Sequence, residues 1–268
     1  MAASDFYLTL FAVPATGPRD GGLEDRVKAF LESSPMTESL DDAKFADVIG
    51  SASKADYLLA NRAFIFELKT LNGDPKDRVE NRLRERFAQP GGPIVFGQVG
   101  LSQIVDGLDD SQAVYKAVLD LSSRAVRRHL QKTNEQVAST REGLSLDDAA
   151  GMLVLMNDGE PMIDAACIGY SIKAAIEAVE SGYPEIRYVL AIIESHRIRL
   201  PGGGEGYPLL LVCRQTDIPI QDAQFLGLML DSWAKAHGAG LVRISHHGDW
   251  SAMDPIYDGG PPVLSPYR

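Results

Sequence analysis

Nowhere in the 268 residues does an apolar run approach the roughly 20 residues that a membrane span needs. The longest, Tyr188 to Ile193 and Leu209 to Cys213, are strand-sized, so no transmembrane helix and no membrane partner are expected. Cysteine is scarce. Cys167 and Cys213 have no partner at metal-ligand spacing, which argues against a disulfide scaffold or a cysteine-bound zinc and fits two buried thiols in a reducing compartment. The N-terminus has Asp5 near its start and lacks a basic stretch followed by an apolar core and a small-residue cleavage site, so a cytoplasmic location is the expectation. Basic residues are also in deficit, 26 against 37 acidic, for a net charge of −11. Tight non-specific binders of nucleic acid are usually basic, so the whole-chain charge opposes a diffuse grip on phosphate; clustered carboxylates at a metal and a local basic surface remain open. Gly202-Gly-Gly-Glu-Gly206 lacks the Lys-Ser/Thr of a phosphate-binding loop and reads as a flexible loop. There is no internal repeat and no low-complexity tract.

What is present is a globular composition, 45% hydrophobic and 24% charged, in a chain long enough for one large domain or two small ones. Residues 6 to 13 read as a strand ended by the Pro14 to Gly22 breakers. Leu23, Val27, Phe30 and Leu31 then mark one face of a helix. Asp74-Pro75 opens a charged helix to about residue 87, and residues 94 to 96 form a short strand. A long helix runs from about 111 to 141, closed by Gly143. Strand 152–156, helix 163–180, strand 186–194, strand 209–213, helix 220–237 and strand 241–245 follow, with an irregular tail from 257. Strand-helix alternation favours parallel pairing, and the two strands joined by the Pro201 to Gly206 loop favour an antiparallel pair. The fold class is therefore α/β with a mixed sheet flanked by helices.

The stretch from Asp56 to Leu71 carries the chemistry. Asp56-Tyr-Leu-Leu-Ala60 and Ala63-Phe-Ile-Phe-Glu-Leu-Lys-Thr-Leu71 read as buried strands joined by an Asn61-Arg62 turn, imperfect because Arg62 does not favour positive φ. With that turn, Leu59 faces Phe64, Tyr57 faces Phe66, and Asp56 faces Glu67. Opposed carboxylates destabilise a ladder unless something neutralises them, and a divalent cation would. The period of two puts Lys69 on the Glu67 face and turns Phe64, Phe66 and Leu68 into a core. Two carboxylates suit magnesium or manganese, and an adjacent lysine can hold a phosphate, stabilise transition-state charge or orient a water.

Asp56, Glu67 and Lys69, an acid followed across a gap by acid-x-Lys on the next strand, resemble the PD-(D/E)xK superfamily of restriction-endonuclease-like nucleases. The proline that usually precedes the first acid is Ala55 here. The resemblance implies a metal-dependent nuclease acting on nucleic acid, DNA before RNA. It also implies a metal held by Asp56, Glu67 and the Leu68 carbonyl, and catalysis by Asp56, Glu67 and Lys69. Some members add a glutamine on the following helix, for which Gln136 stands, or a glutamate on the first helix, for which Glu24 stands. The family core, α-β-β-β-α-β, maps onto helix 23–31, a first strand at 45–49, the hairpin, the long helix and strand 152–156, with 74–110 an insertion. Residues 1–158 would form this core and 159–268 an α/β extension packed on it or continuing its sheet.

On the long helix Arg124, Arg128, Lys132, Gln136 and Thr140 recur every four residues and read as one polar, mostly basic stripe. Arg124, Arg128 and Lys132 are thus candidate nucleic-acid contacts. His246-His247-Gly-Asp249 is a poor metal site, because adjacent histidines on a strand face opposite ways. Ser195-His196 and Ser245-His246 lack a third partner for a hydrolase triad. The rival expectations are a binding module of the same fold with little or no turnover, and a metabolic enzyme in which the charged hairpin is incidental.

Overall fold

The computed structural model describes residues 7–45, 53–72, 81, 84–85, 88, 99–100, 111–161, 163–178, 182–214, 218–245, 250–256 and 263–264. Chain order is β1 (Tyr7–Pro14), α1 (Leu23–Glu32), β2 (Thr37–Ser39), a 3-10 turn (Ala43–Phe45), β3 (Tyr57–Leu59), β4 (Phe64–Thr70), β5 (Val99–Gly100) and α2 (Ser111–Leu144). After these come β6 (Ala150–Asn157), α3 (Ala165–Ala178), β7 (Ile186–Ile193), β8 (Ile198–Arg199), β9 (Glu205–Cys213), α4 (Ile220–Ala236), β10 (Val242–Ile244), a second 3-10 turn (Ser251–Met253) and β11 (Val263–Leu264).

One nine-stranded sheet runs β10-β1-β9-β7-β6-β4-β3-β2, with β8 on β9. Its centre, β4-β6-β7, is parallel and the rest is antiparallel, so the sheet is mixed. Every residue of β6 is buried, as expected of a parallel strand covered on both faces. The alternating faces divide the core. Phe64, Phe66, Met152, Val154, Tyr188 and Leu190 pack under α1 and α4 through Leu23, Val27, Leu226 and Trp233. On the other face, Leu153, Leu155, Val189 and Ala191 meet Val126 and Leu130 of α2 and Ile168 and Ile172 of α3. At the β6–β7 crossing a Cβ on Gly151 would lie 2.1 Å from the Glu185 carbonyl oxygen, so only glycine lets these backbones approach.

Strands from both sides of residue 158 share this sheet: β6 pairs with β7, and N-terminal β1 lies between β9 and β10. The strand expected at residues 45–49 is not where the hairpin finds its third partner. Phe45 ends a 3-10 turn, residues 46–49 lie outside those described, and Thr37–Ser39 pairs antiparallel with β3 instead. Gly143 does not close α2, which continues to Leu144; Ser145 takes the left-handed φ of 53° instead. Leu144 and Leu146 pack against the Leu58, Ile65 and Val137 cluster, and this contact carries the helix past the glycine. Most of the helix expected at 74–87 and all of the strand at 94–96 lie outside the described residues.

Candidate functional site

The Asn61-Arg62 turn gives the expected ladder: Leu59 opposite Phe64, Leu58 opposite Ile65 and Tyr57 opposite Phe66. Ala60, Asn61 and Arg62 all take positive φ. The cost at Arg62 is offset by its two hydrogen bonds to Glu38 on β2, at 2.8 and 3.0 Å.

At Asp56 the register slips. Its amide donates to the Phe66 carbonyl at 3.0 Å and its carbonyl accepts the Leu40 amide at 2.9 Å, so the expected Asp56–Glu67 pair is not part of the ladder. The physical reason is that β4 outlasts β3. Leu68 offers an amide beyond the last ladder pair, and the Asp56 carboxylate accepts it at 2.7 Å. Amide and carbonyl of one extended residue point to the same strand edge, so the Leu68 carbonyl also faces this edge.

Glu67 is only 1% exposed. One carboxylate oxygen is ion-paired with the Lys69 ammonium, whose side chain is 15% exposed, while Oε2 is buried without a partner. Burial first, then the charge of Asp56, pushes the Glu67 carboxyl up to about 7 against the opposing pull of Lys69. Burial likewise raises Asp56, opposed by the Leu68 amide and by Lys69. Glu24 takes Lys28 at 2.6 Å and the Thr70 hydroxyl at 2.7 Å, and these bonds, with a smaller contribution from Lys69, hold its carboxyl below the ordinary value.

Helix α2 pins the chain just ahead of Asp56. Gln136 donates to the Lys54 carbonyl at 2.8 Å, and the Thr140 hydroxyl accepts the Ala55 amide at 2.8 Å. Gln136 is buried, lies close enough to Glu67 to favour its charged form, and keeps an unpartnered Oε1. The polar stripe expected from residue 124 to 140 is therefore not one face: Arg124, Arg128 and Lys132 are exposed, whereas Gln136 and Thr140 are buried. A four-residue repeat drifts by about 40° per step on a helix of 3.6 residues per turn, hence about 160° between the two ends of the stripe. His129 was not singled out by sequence, since an isolated histidine on a helix carries no signal. Burial, aided by Arg128, Lys69 and Lys132, lowers it to about 4, so it stands neutral in the field of Lys69. Thr140, Thr70 and Lys28 were also missed as site partners, because their roles depend on tertiary contacts.

Among the described residues no group of three or more histidine, cysteine, aspartate or glutamate side chains gathers as for a metal. Any cation here would draw on Asp56, Glu67 and the Leu68 carbonyl. His246, His247 and Asp249 lie outside the described residues. Ser195 Oγ meets His196 Nδ1 at 3.1 Å, and burial lowers that imidazole to about 4. Cys167 and Cys213 are both buried. No helix among the described residues is long and apolar enough to cross a membrane. No family model, curated protein or solved structure matches the chain.

Proposed function

We propose that the chain is a metal-dependent nuclease that hydrolyses phosphodiester bonds of nucleic acid, DNA before RNA, on a restriction-endonuclease-like core. The observation that carries the reading is the meeting of Asp56, Glu67 and Lys69 where β3 gives out, with Glu67 Oε2 buried and unpartnered. Chain order lends support: apart from β5, which pairs with β11 outside the main sheet, α1-β2-β3-β4-α2-β6 follows the α-β-β-β-α-β order of the resemblance, and β2, β3, β4 and β6 are neighbours in the sheet.

The residues fit magnesium or manganese. A buried carboxylate oxygen without a donor is costly, and an oxygen-seeking cation that retains several waters would satisfy it using Asp56 and the Leu68 carbonyl as further donors. Such a cation, when bound, supplies positive charge at a phosphate oxygen and lowers the pKa of a water. Lys69, freed from Glu67, would hold a non-bridging phosphate oxygen and orient the attacking water. As the water oxygen bonds to phosphorus, the bond to the leaving sugar oxygen breaks and that oxygen takes up a proton. Arg124, Arg128 and Lys132, exposed on α2, would line the path of the backbone.

The test is cleavage of linear, circular and single-stranded DNA and of RNA with magnesium or manganese. Lys69→Ala, checked for folding by circular dichroism, should lose at least about a hundredfold in rate, and chelation should silence the wild type. Folded wild-type protein that neither cleaves nor binds any of these substrates overturns the reading. The second reading, a binding module with little turnover, is favoured by the Lys69–Glu67 pair, which offsets the Glu67 charge without a metal ion. Binding without cleavage would select it.

A further inference from the structure

A cavity of about 560 Å³ lies between α1, α4 and the loop that follows β1. That volume is in the range of sites for small organic ligands, roughly 300–1,000 Å³. Arg19, Arg26, Phe30, Trp233 and His237 are on its wall. Asn157 at the end of β6 accepts the amides of Glu194 and Ser195 at 2.6 and 3.0 Å, which fixes Glu194 beside the two arginines. Both guanidiniums pair with this one carboxylate, whose side chain is 6% exposed. His237 adds no charge. Its Nδ1 must donate to the Trp233 carbonyl at 2.8 Å, so its Nε2 accepts from Arg26 at 3.0 Å and the ring is neutral. Asp20 also lines the wall but is exposed to water, which screens it, so cations exceed anions in the buried part.

Two donors here have no acceptor. Arg19 Nη2 and Trp233 Nε1 are buried and unpaired, in a guanidinium whose side chain is 10% exposed and an indole that is 3% exposed. Neither group can accept, so each needs an acceptor, which the oxygens of an anionic ligand would supply. Arg19 is stacked 4.2 Å above the Tyr207 ring, which fixes the plane of its donor fork. Phe30, half-buried with Trp233 packed edge-on at 5.3 Å, gives the wall an aromatic surface.

We infer that this cavity is a second binding site, for a small phosphate monoester joined to a planar ring, of the size of a nucleoside monophosphate. Arg19 and Arg26 take the phosphate, as paired guanidiniums do, and Phe30 takes the ring. The site is separate from the carboxylate cluster. Glu24 and Arg26 are two residues apart on α1, about 200° around the helix, and so face opposite sides.

Calorimetric titration of the full chain with adenosine monophosphate, inorganic phosphate, adenosine and a short single-stranded oligonucleotide tests this. The monophosphate should bind at least about tenfold more tightly than phosphate or adenosine alone. Arg19→Met should weaken it by at least about tenfold, and Phe30→Leu should weaken the monophosphate but not phosphate. Arg19→Lys, which keeps the charge but not the fork, gives the same reading if Arg19→Met fails to fold. Asp56→Asn should leave binding unchanged, which separates this site from the proposed nuclease centre. The inference is overturned if no binding is seen at about 1 mM monophosphate, if Arg19→Met and Arg19→Lys both bind as wild type, or if only the oligonucleotide binds.

Discussion

The Asp56 carboxylate accepts the Leu68 amide at 2.7 Å, so a side chain from the end of one strand replaces the backbone partner that its neighbour has outrun. The bond aims Asp56 along β4 toward Glu67 and Lys69, and each of these charges bears on its carboxyl or is borne on by it. Because a ligand that binds only the folded chain stabilises it, magnesium or manganese should raise the melting temperature of the wild type. Asp56→Asn should remove that rise while leaving the fold in place. The comparison is thermal melting with and without metal, and an equal rise in both proteins would put the ion elsewhere.

Glu67 makes stability depend on pH. Its carboxyl is raised to about 7 in the folded chain, above the ordinary carboxylate value, so the folded state holds a proton that the unfolded state releases. That contribution is complete below the unfolded value and is lost as pH rises through about 7. Asp56, also raised, acts in the same direction. Melting temperatures in chelator should therefore fall between about pH 5 and about pH 8, and Glu67→Gln should flatten that fall. Metal competes with the proton, so its stabilisation should be larger at the upper end of the window. A profile that is the same in wild type and Glu67→Gln would show that the titrating group is another.

Thr140 and Ala55 provide a test of how α2 supports the cluster. Thr140→Val keeps the shape but leaves the Ala55 amide buried without an acceptor, a cost of about 1–3 kcal/mol. Thr140→Ser should restore most of it. Chemical denaturation measures the cost, and the metal response of Thr140→Val should weaken with it, because the residue before Asp56 has lost its anchor.

The hairpin was legible because a two-residue turn and a period of two fix the register, and the apolar runs of β6, β7 and β9 marked the centre of the sheet. β2 was not, since Thr37, Glu38 and Ser39 show no apolar alternation and are a strand only because β3 offers them an edge. The slip at Asp56 was hidden too. An ideal ladder pairs Asp56 with Glu67, whereas the acceptor that the carboxylate supplies to Leu68 becomes visible only with coordinates. Nor does sequence distance reveal that β1 lies between β9 and β10, or that Arg19, Arg26, Glu194 and His237 meet. On α2 the spacing of four was real, but its drift around the helix buries Gln136 and Thr140 and leaves only Arg124, Arg128 and Lys132 exposed.

That division of α2 separates binding from chemistry. Arg128 and Lys132 are exposed, and both act electrostatically on the half-buried His129, as does Lys69, so the basic residues stand beside the cluster. Reversing both, Arg128→Glu with Lys132→Glu, should weaken binding of nucleic acid at low salt. It should also flatten the dependence of affinity on salt, since each lost phosphate contact removes roughly one unit of counterion release from the slope. Single-turnover cleavage at saturating substrate should change much less than it does in Lys69→Ala, because phosphate contacts away from the reacting bond position the strand without stabilising its transition state. Fluorescence anisotropy across a salt series gives the slope, and a slope unchanged from wild type would remove this face of α2 from the path of the strand.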